Sequence, residues 1–150
     1  MSNVKDLIGL ELEPYSMAVE KGKIKELALA LGDDNPIYYD LEAAKKEGYD
    51  GIPIPPTFLQ VIDLWGGLGS AEKVEKLKFN LVRVLHGQQA YEYLGDIVAG
   101  DVLSVTSKVV AAETKSGSTG VMEFVSLENQ YQNQRGELVA ITRSTLVHRL

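Results

Sequence analysis

The chain has 150 residues, 45% of them hydrophobic and 24% charged, with a net charge of −6 at neutral pH. That is one domain's worth of chain, 1–150, able to bury close to ~70% of its unfolded surface, which excludes a disordered protein. The acidic balance, with no basic run and no RNA-binding motif, excludes nucleic acid and a membrane surface as partners. With no cysteine there is no disulfide, thiolate zinc site or cysteine nucleophile, and with only His86 and His148 a multi-histidine metal site is not expected. Neither a metal nor a cofactor is expected. The first twelve residues carry Lys5 and Asp6 and no long apolar core, so they do not read as a signal peptide. No apolar run approaches the ~18 residues of a membrane span, and a cytoplasmic location follows as the expectation.

In chain order, Ile24, Leu27, Ala28 and Leu31 recur at helical spacing and predict a helix over 22–31, stopped by Gly32. Asp40 is placed to cap a short helix through Ala43 and Ala44 that Gly48 ends. The stretch Gly51-Ile52-Pro53-Ile54-Pro55-Pro56 is rigid and extended. It delivers the chain to a third helix over 57–65, apolar nearly all round through Phe58, Leu59, Val61, Ile62, Leu64 and Trp65. A helix with so little polar face is expected to be enclosed by other elements. Residues 79–93, 102–112, 121–132 and 138–148 then alternate as strands, rich in Val, Leu, Thr and Tyr. Ala99-Gly100-Asp101, Lys115-Ser116-Gly117-Ser118 and Asn133-Gln134-Arg135-Gly136 mark turns whose lengths imply antiparallel pairing. With Tyr15 to Glu20 as a candidate fifth strand, the pattern predicts an α+β domain, one antiparallel sheet wrapped around a central helix. Such a sheet has edge strands to manage, and pairing with a second subunit is the usual remedy.

The segment Gly32-Asp33-Asp34-Asn35-Pro36-Ile37-Tyr38 resembles the Gly-Asp-x-Asn-Pro-Ile-His signature of the MaoC-like enoyl-thioester hydratases and 3-hydroxyacyl-thioester dehydratases. The hot-dog fold of that family agrees with the pattern of elements. Two further segments narrow the resemblance: Pro55-Pro56-Thr57-Phe58 at the opening of the central helix, and Leu85-His86-Gly87-Gln88-Gln89. They are similar to the N-terminal domains of type I fatty-acid-synthase-like dehydratases and their free-standing relatives, a branch that often lacks the catalytic histidine and works beside a second hot-dog that has it. Here Tyr38 stands where the family carries that histidine.

Hydration of a 2-enoyl thioester, or the reverse dehydration, requires three things: a group to activate water, a group to handle the α-carbon proton, and donors for the thioester oxygen. By resemblance, Asp33 shares the first two roles with the residue at 38, and the N–H of Thr57 at a helix N-terminus takes the third. Asn35 and His86 complete the expected site as substrate-binding residues. Each also has a purely structural reading. Asp33 and Asn35 suit a turn before proline, the Thr57 hydroxyl suits a helix cap, and His86 suits a strand beside a bulge at Gly87. Tyr38 is either an aromatic filling the space of a histidine or a proton donor, because a phenol with a reference pKa of about 10 is a poor base at neutral pH. His148, near a strand end, is expected to be solvated.

Three functions follow from the resemblance. The first is a dehydratase or hydratase subunit that binds an acyl-CoA or acyl-carrier-protein thioester and takes its histidine from a partner hot-dog. The second is a self-sufficient homodimeric hydratase using Asp33 with Tyr38 or His86. The third is a non-catalytic acyl-thioester binder.

Overall fold

The structure is a computed structural model describing residues 3–150; the first two positions of the amino-terminal segment read above as lacking a leader lie outside them. Five strands, β1 (Glu11–Ala18), β2 (Val84–Tyr93), β3 (Val102–Gly117), β4 (Gly120–Gln132) and β5 (Leu138–Arg149), form one sheet in the order β1-β3-β4-β5-β2. Every pairing is antiparallel. Four helices precede or interrupt it: α1 (Lys21–Leu31), α2 (Leu41–Lys46), α3 (Leu59–Gly66) and α4 (Ser70–Lys76). This is the α+β hot-dog arrangement, with α3 lying against the sheet. Among the described residues no helix is long and apolar enough to cross a membrane.

The core explains the placement of α3. Phe58, Leu59 and Ile62 are fully buried and pack in one cluster with Leu103, Val105, Tyr131 and Ala140 from the strands and with Ile24 and Ala28 of α1. Leu64 and Trp65 of the same helix are 52% and 70% exposed. The enclosure expected from the all-round apolar sequence is therefore one-sided in the single chain, because one five-stranded sheet covers only one face of a helix. Lys23 of α1 sits with its Nζ 5.4 Å from the centre of the Trp65 ring, a cation–π contact at the surface.

Several boundaries differ from the sequence reading, each for a local reason. The strand expected to begin at 79 begins at Val84, because the Asn80 side chain accepts from the N–H of Val82 and caps a short 3₁₀ turn over Leu81–Arg83. β3 and β4 run on through Lys115 and Ser116 to a tight turn, with Gly117 paired to Gly120. α4 was not expected at all. It presents one buried residue, Val74, and its first turn is held by Glu72 accepting from the Gly69 N–H. His148 is buried rather than solvated: it stacks on Phe79 with ring centroids 4.3 Å apart. Its Nε2 accepts the Asn80 N–H at 3.1 Å, which leaves Nδ1–H to donate to Glu123 at 3.0 Å.

Candidate functional site

The signature loop hangs from the end of α1. Gly32 adopts the left-handed conformation, φ 70°, that closes a helix C-terminus, and its N–H and that of Asp33 bond back to Leu29 and Ala28. From there each side chain orders the next. Asp33 Oδ1 accepts the Asn35 N–H at 3.0 Å and Asn35 Oδ1 accepts the Ile37 N–H at 3.2 Å, so the turn residues fold their own backbone. The Tyr39 hydroxyl clamps the loop by donating to the Asp33 carbonyl. Pro36–Tyr38 forms one 3₁₀ turn that drives Ile37 and Tyr38 into the core.

Tyr38 is thus 7% exposed while Asp33 stays partly exposed beside it. Burial, then the negative charge of Asp33, then Tyr49, push the Tyr38 phenol above its ordinary range. The direction decides what this side chain offers: at neutral pH it is a protonated phenol, able to donate a hydrogen bond and unable to take a proton.

Thr57 lies in the turn that opens α3. Pro55 accepts the Phe58 N–H at 2.9 Å, and the helix cap is Phe58, with no side chain bonded to the first turn. The cap reading of the Thr57 hydroxyl is therefore not realised. Thr57 is exposed, and its N–H donates to no described backbone group. Tyr93 of β2 fixes this turn by donating to the Pro56 carbonyl at 2.6 Å.

His86 belongs to a different place. It sits at a bulge in β2, where the register with β5 shifts between His86 and Gln88. Its Nε2 lies 3.1 Å from Gln89 Oε1. Both residues line a cavity of about 330 Å³ between α3, α4 and the sheet, which none of the loop 32–38 enters. Of the five candidate residues, Asp33, Asn35 and Tyr38 share one loop, Thr57 lies in the turn before α3, and His86 is in the separate cavity.

The sequence reading missed a buried acid at the centre of a polar network in this region. Asp63, on α3, is 8% exposed. Its Oδ1 accepts two phenol hydroxyls, from Tyr15 of β1 and Tyr131 of β4, each at 2.6 Å. Tyr131 further contacts Thr142 at 3.2 Å and accepts from Asn129 at 3.3 Å, and Ser107 donates to Asn129. Burial, followed by the charge of Asp63, raises both phenols well above the ordinary tyrosine range. Tyr15 reaches Asp63 across Gly66 and Gly67, where an added Cβ would stand 2.9 and 2.7 Å from its ring. The available sign was one acid set inside an otherwise apolar helix.

Comparison with known proteins adds a family to this geometry. Residues 6–142 match the family described as FAS1-like, dehydratase domain region. A UPF0336 protein of Streptomyces avermitilis is 35% identical over 91% of this chain and 87% of its own length. Among solved structures, the C-terminally truncated HadBC (3R-hydroxyacyl-ACP dehydratase) complex of Mycobacterium tuberculosis superposes with a TM-score of 0.81 at 23% identity, covering 97% of this chain and 99% of that one. The ChsH1-ChsH2 complex of the same organism gives 0.77 at 23% identity, over 97% and 86%. At these identities the structural likeness is one of fold.

Proposed function

This chain belongs to the family of FAS1-like dehydratase domains, of MaoC-like hot-dog build, and on that premise we propose that it is the acyl-thioester-binding subunit of a 3-hydroxyacyl-thioester dehydratase whose catalytic histidine comes from a partner hot-dog subunit. The observation that carries the proposal is the state of position 38. A buried phenol raised by its surroundings and by Asp33 is a donor, not the base that hydration demands. Similarity to solved hot-dog assemblies with two different subunit names, HadBC and ChsH1-ChsH2, supports a hetero-oligomer.

In this reading the thioester carbonyl points its oxygen at the Thr57 N–H, which has no competing backbone partner and stabilises the enolate-like oxygen as it forms. Asp33 holds the water through the carboxylate oxygen left free of the Asn35 N–H, and Tyr38 donates into the same space. The partner's imidazole takes the water proton as the new C–O bond forms at the β carbon and delivers a proton to the α carbon; dehydration runs these steps in reverse. No cofactor enters the proposal. Self-sufficient catalysis is less well supported, since Tyr38 is held protonated and His86 lies in the other cavity.

The test is co-purification from native cells, followed by enoyl-thioester hydration assays of the chain alone and with what accompanies it. The expected result is background turnover alone and rapid turnover with a hot-dog subunit carrying an intact Asp/His loop. Robust turnover by the isolated chain, abolished in Asp33→Asn, overturns partner dependence.

A further inference from the structure

Beneath α3 lies the separate cavity of about 330 Å³ already described, and the chemistry of its walls is unlike that of a slot for a plain hydrocarbon. Asp63 reaches into it from the helix, Ser107, Asn129 and Ser144 line it from the sheet, and Lys73 lines it from α4. The two tyrosine hydroxyls occupy Oδ1 of Asp63 alone; Oδ2 accepts from no described residue. Nor is Oδ2 sealed in the protein, since the one buried side-chain atom without a partner among the described residues is Asn133 Nδ2. A carboxylate that is 8% exposed thus turns one acceptor oxygen toward an open cavity. A saturated tail placed there strips water from that oxygen and gives no hydrogen bond back.

The charges select what does fit. A charged tail of either sign meets a like charge in this cavity as well as an opposite one, a carboxylate at Asp63 and an ammonium at Lys73, so neither gains the full attraction of its partner. A neutral alcohol satisfies both constraints, donating to Asp63 while accepting from the amide and hydroxyl donors around it. Asp63 stands six residues after Thr57, roughly 9 Å along the helix axis. The hydroxyl therefore belongs on the distal part of the chain, well away from the reacting carbons.

We infer that this cavity receives the hydroxyl-bearing tail of an acyl thioester, with Asp63 Oδ2 as its acceptor. The inference rests on the reading that the thioester itself lies at Thr57 and Asp33.

The test is equilibrium binding of octanoyl-CoA, 8-hydroxyoctanoyl-CoA and 8-methoxyoctanoyl-CoA to the purified protein and to Asp63→Asn. Wild type is expected to bind the hydroxyl compound about tenfold more tightly than either of the others, the scale of one hydrogen bond to a charged acceptor. The asparagine variant still offers Oδ1 to both tyrosines but presents N–H where Oδ2 stood. It is expected to lose the discrimination between hydroxyl and methoxyl, because both accept from N–H. If wild type binds octanoyl-CoA as tightly as the hydroxyl compound, the inference fails while acyl-thioester binding stands. Hydroxyl preference unchanged in Asp63→Asn likewise overturns it. If none of the three binds, the thioester reading fails and this inference falls with it.

Discussion

The loop at Asp33 and the network at Asp63 place two carboxylates on opposite terms with the protein. Asp33 is partly exposed, and its side chain bonds to backbone within two residues of itself, so the turn is self-contained and its carboxylate stays open to a ligand. Asp63 is buried, and its partners arrive from Tyr15 and Tyr131, 48 and 68 residues away in the chain. One acid shapes a turn; the other ties β1, α3 and β4 together. The partners of Asp33 are thus local to the motif, whereas those of Asp63 join three elements of the fold.

The widest separation between the two is expected in stability. Asp63→Ala leaves two buried phenol hydroxyls without an acceptor and should cost about 3 kcal/mol or more, since each bond to a charged acceptor is worth about 1.5–3 kcal/mol. Asp33→Ala removes one bond at a surface turn and should cost less than about 1 kcal/mol. Urea unfolding of the two variants against wild type measures the gap; equal losses would break the comparison.

In activity the order should reverse. Tyr38→His supplies an imidazole beside Asp33, with Thr57 already presenting its N–H, and is expected to raise the hydration rate of the isolated chain on the order of 10²-fold. The packing cost at this buried position should be about 1 kcal/mol. Adding Asp33→Asn to that variant should return the rate to background. A folded Tyr38→His protein that binds enoyl thioester without gaining rate would mean the loop is a binding element only.

The sequence displays these two regions unequally, for a physical reason. The Asp33 loop is built from neighbours, so Gly32, Asp33, Asn35 and Pro36 announce it in order, and the alternation of 102–112, 121–132 and 138–148 announces the sheet as directly. The Asp63 network depends on which strands flank α3, which no local pattern encodes. His148 was misread on the same ground: its solvation is removed by Phe79 and Asn80, which approach from a distant segment. α4 escaped because a short helix with one inward residue, Val74, carries almost no periodic signal.

Alkaline pH should distinguish the regions next. The phenols of Tyr15 and Tyr131 are raised in the folded protein, so above about pH 10 the unfolded chain releases protons that the native one keeps. Each such phenol then lowers stability by about 1.4 kcal/mol per pH unit, and the contribution is intact below that pH. Denaturant midpoints between pH 9 and 11 should fall more shallowly in Tyr15→Phe than in wild type, whatever its starting stability. An unchanged slope would mean that Tyr15 does not hold its proton more tightly in the fold.

The smallest expected effect concerns Asn35, which was read both as a substrate-binding residue and as a turn former. Its Oδ1 is occupied by the Ile37 N–H at 3.2 Å, the bond that starts the 3₁₀ turn carrying Tyr38. Loss of such a cap costs about 1 kcal/mol, and because the turn is local, global stability should fall by no more than that in Asn35→Ala. Thioester affinity should weaken through displacement of Asp33 and Tyr38. Asn35→Asp keeps an oxygen at the same position and should restore both properties. Affinity for an enoyl-CoA, measured beside unfolding for the two variants, separates the roles. If Asn35→Asp folds like wild type yet binds as poorly as Asn35→Ala, the amide N–H₂ touches the ligand directly, and the loop's self-contained character no longer holds at this residue.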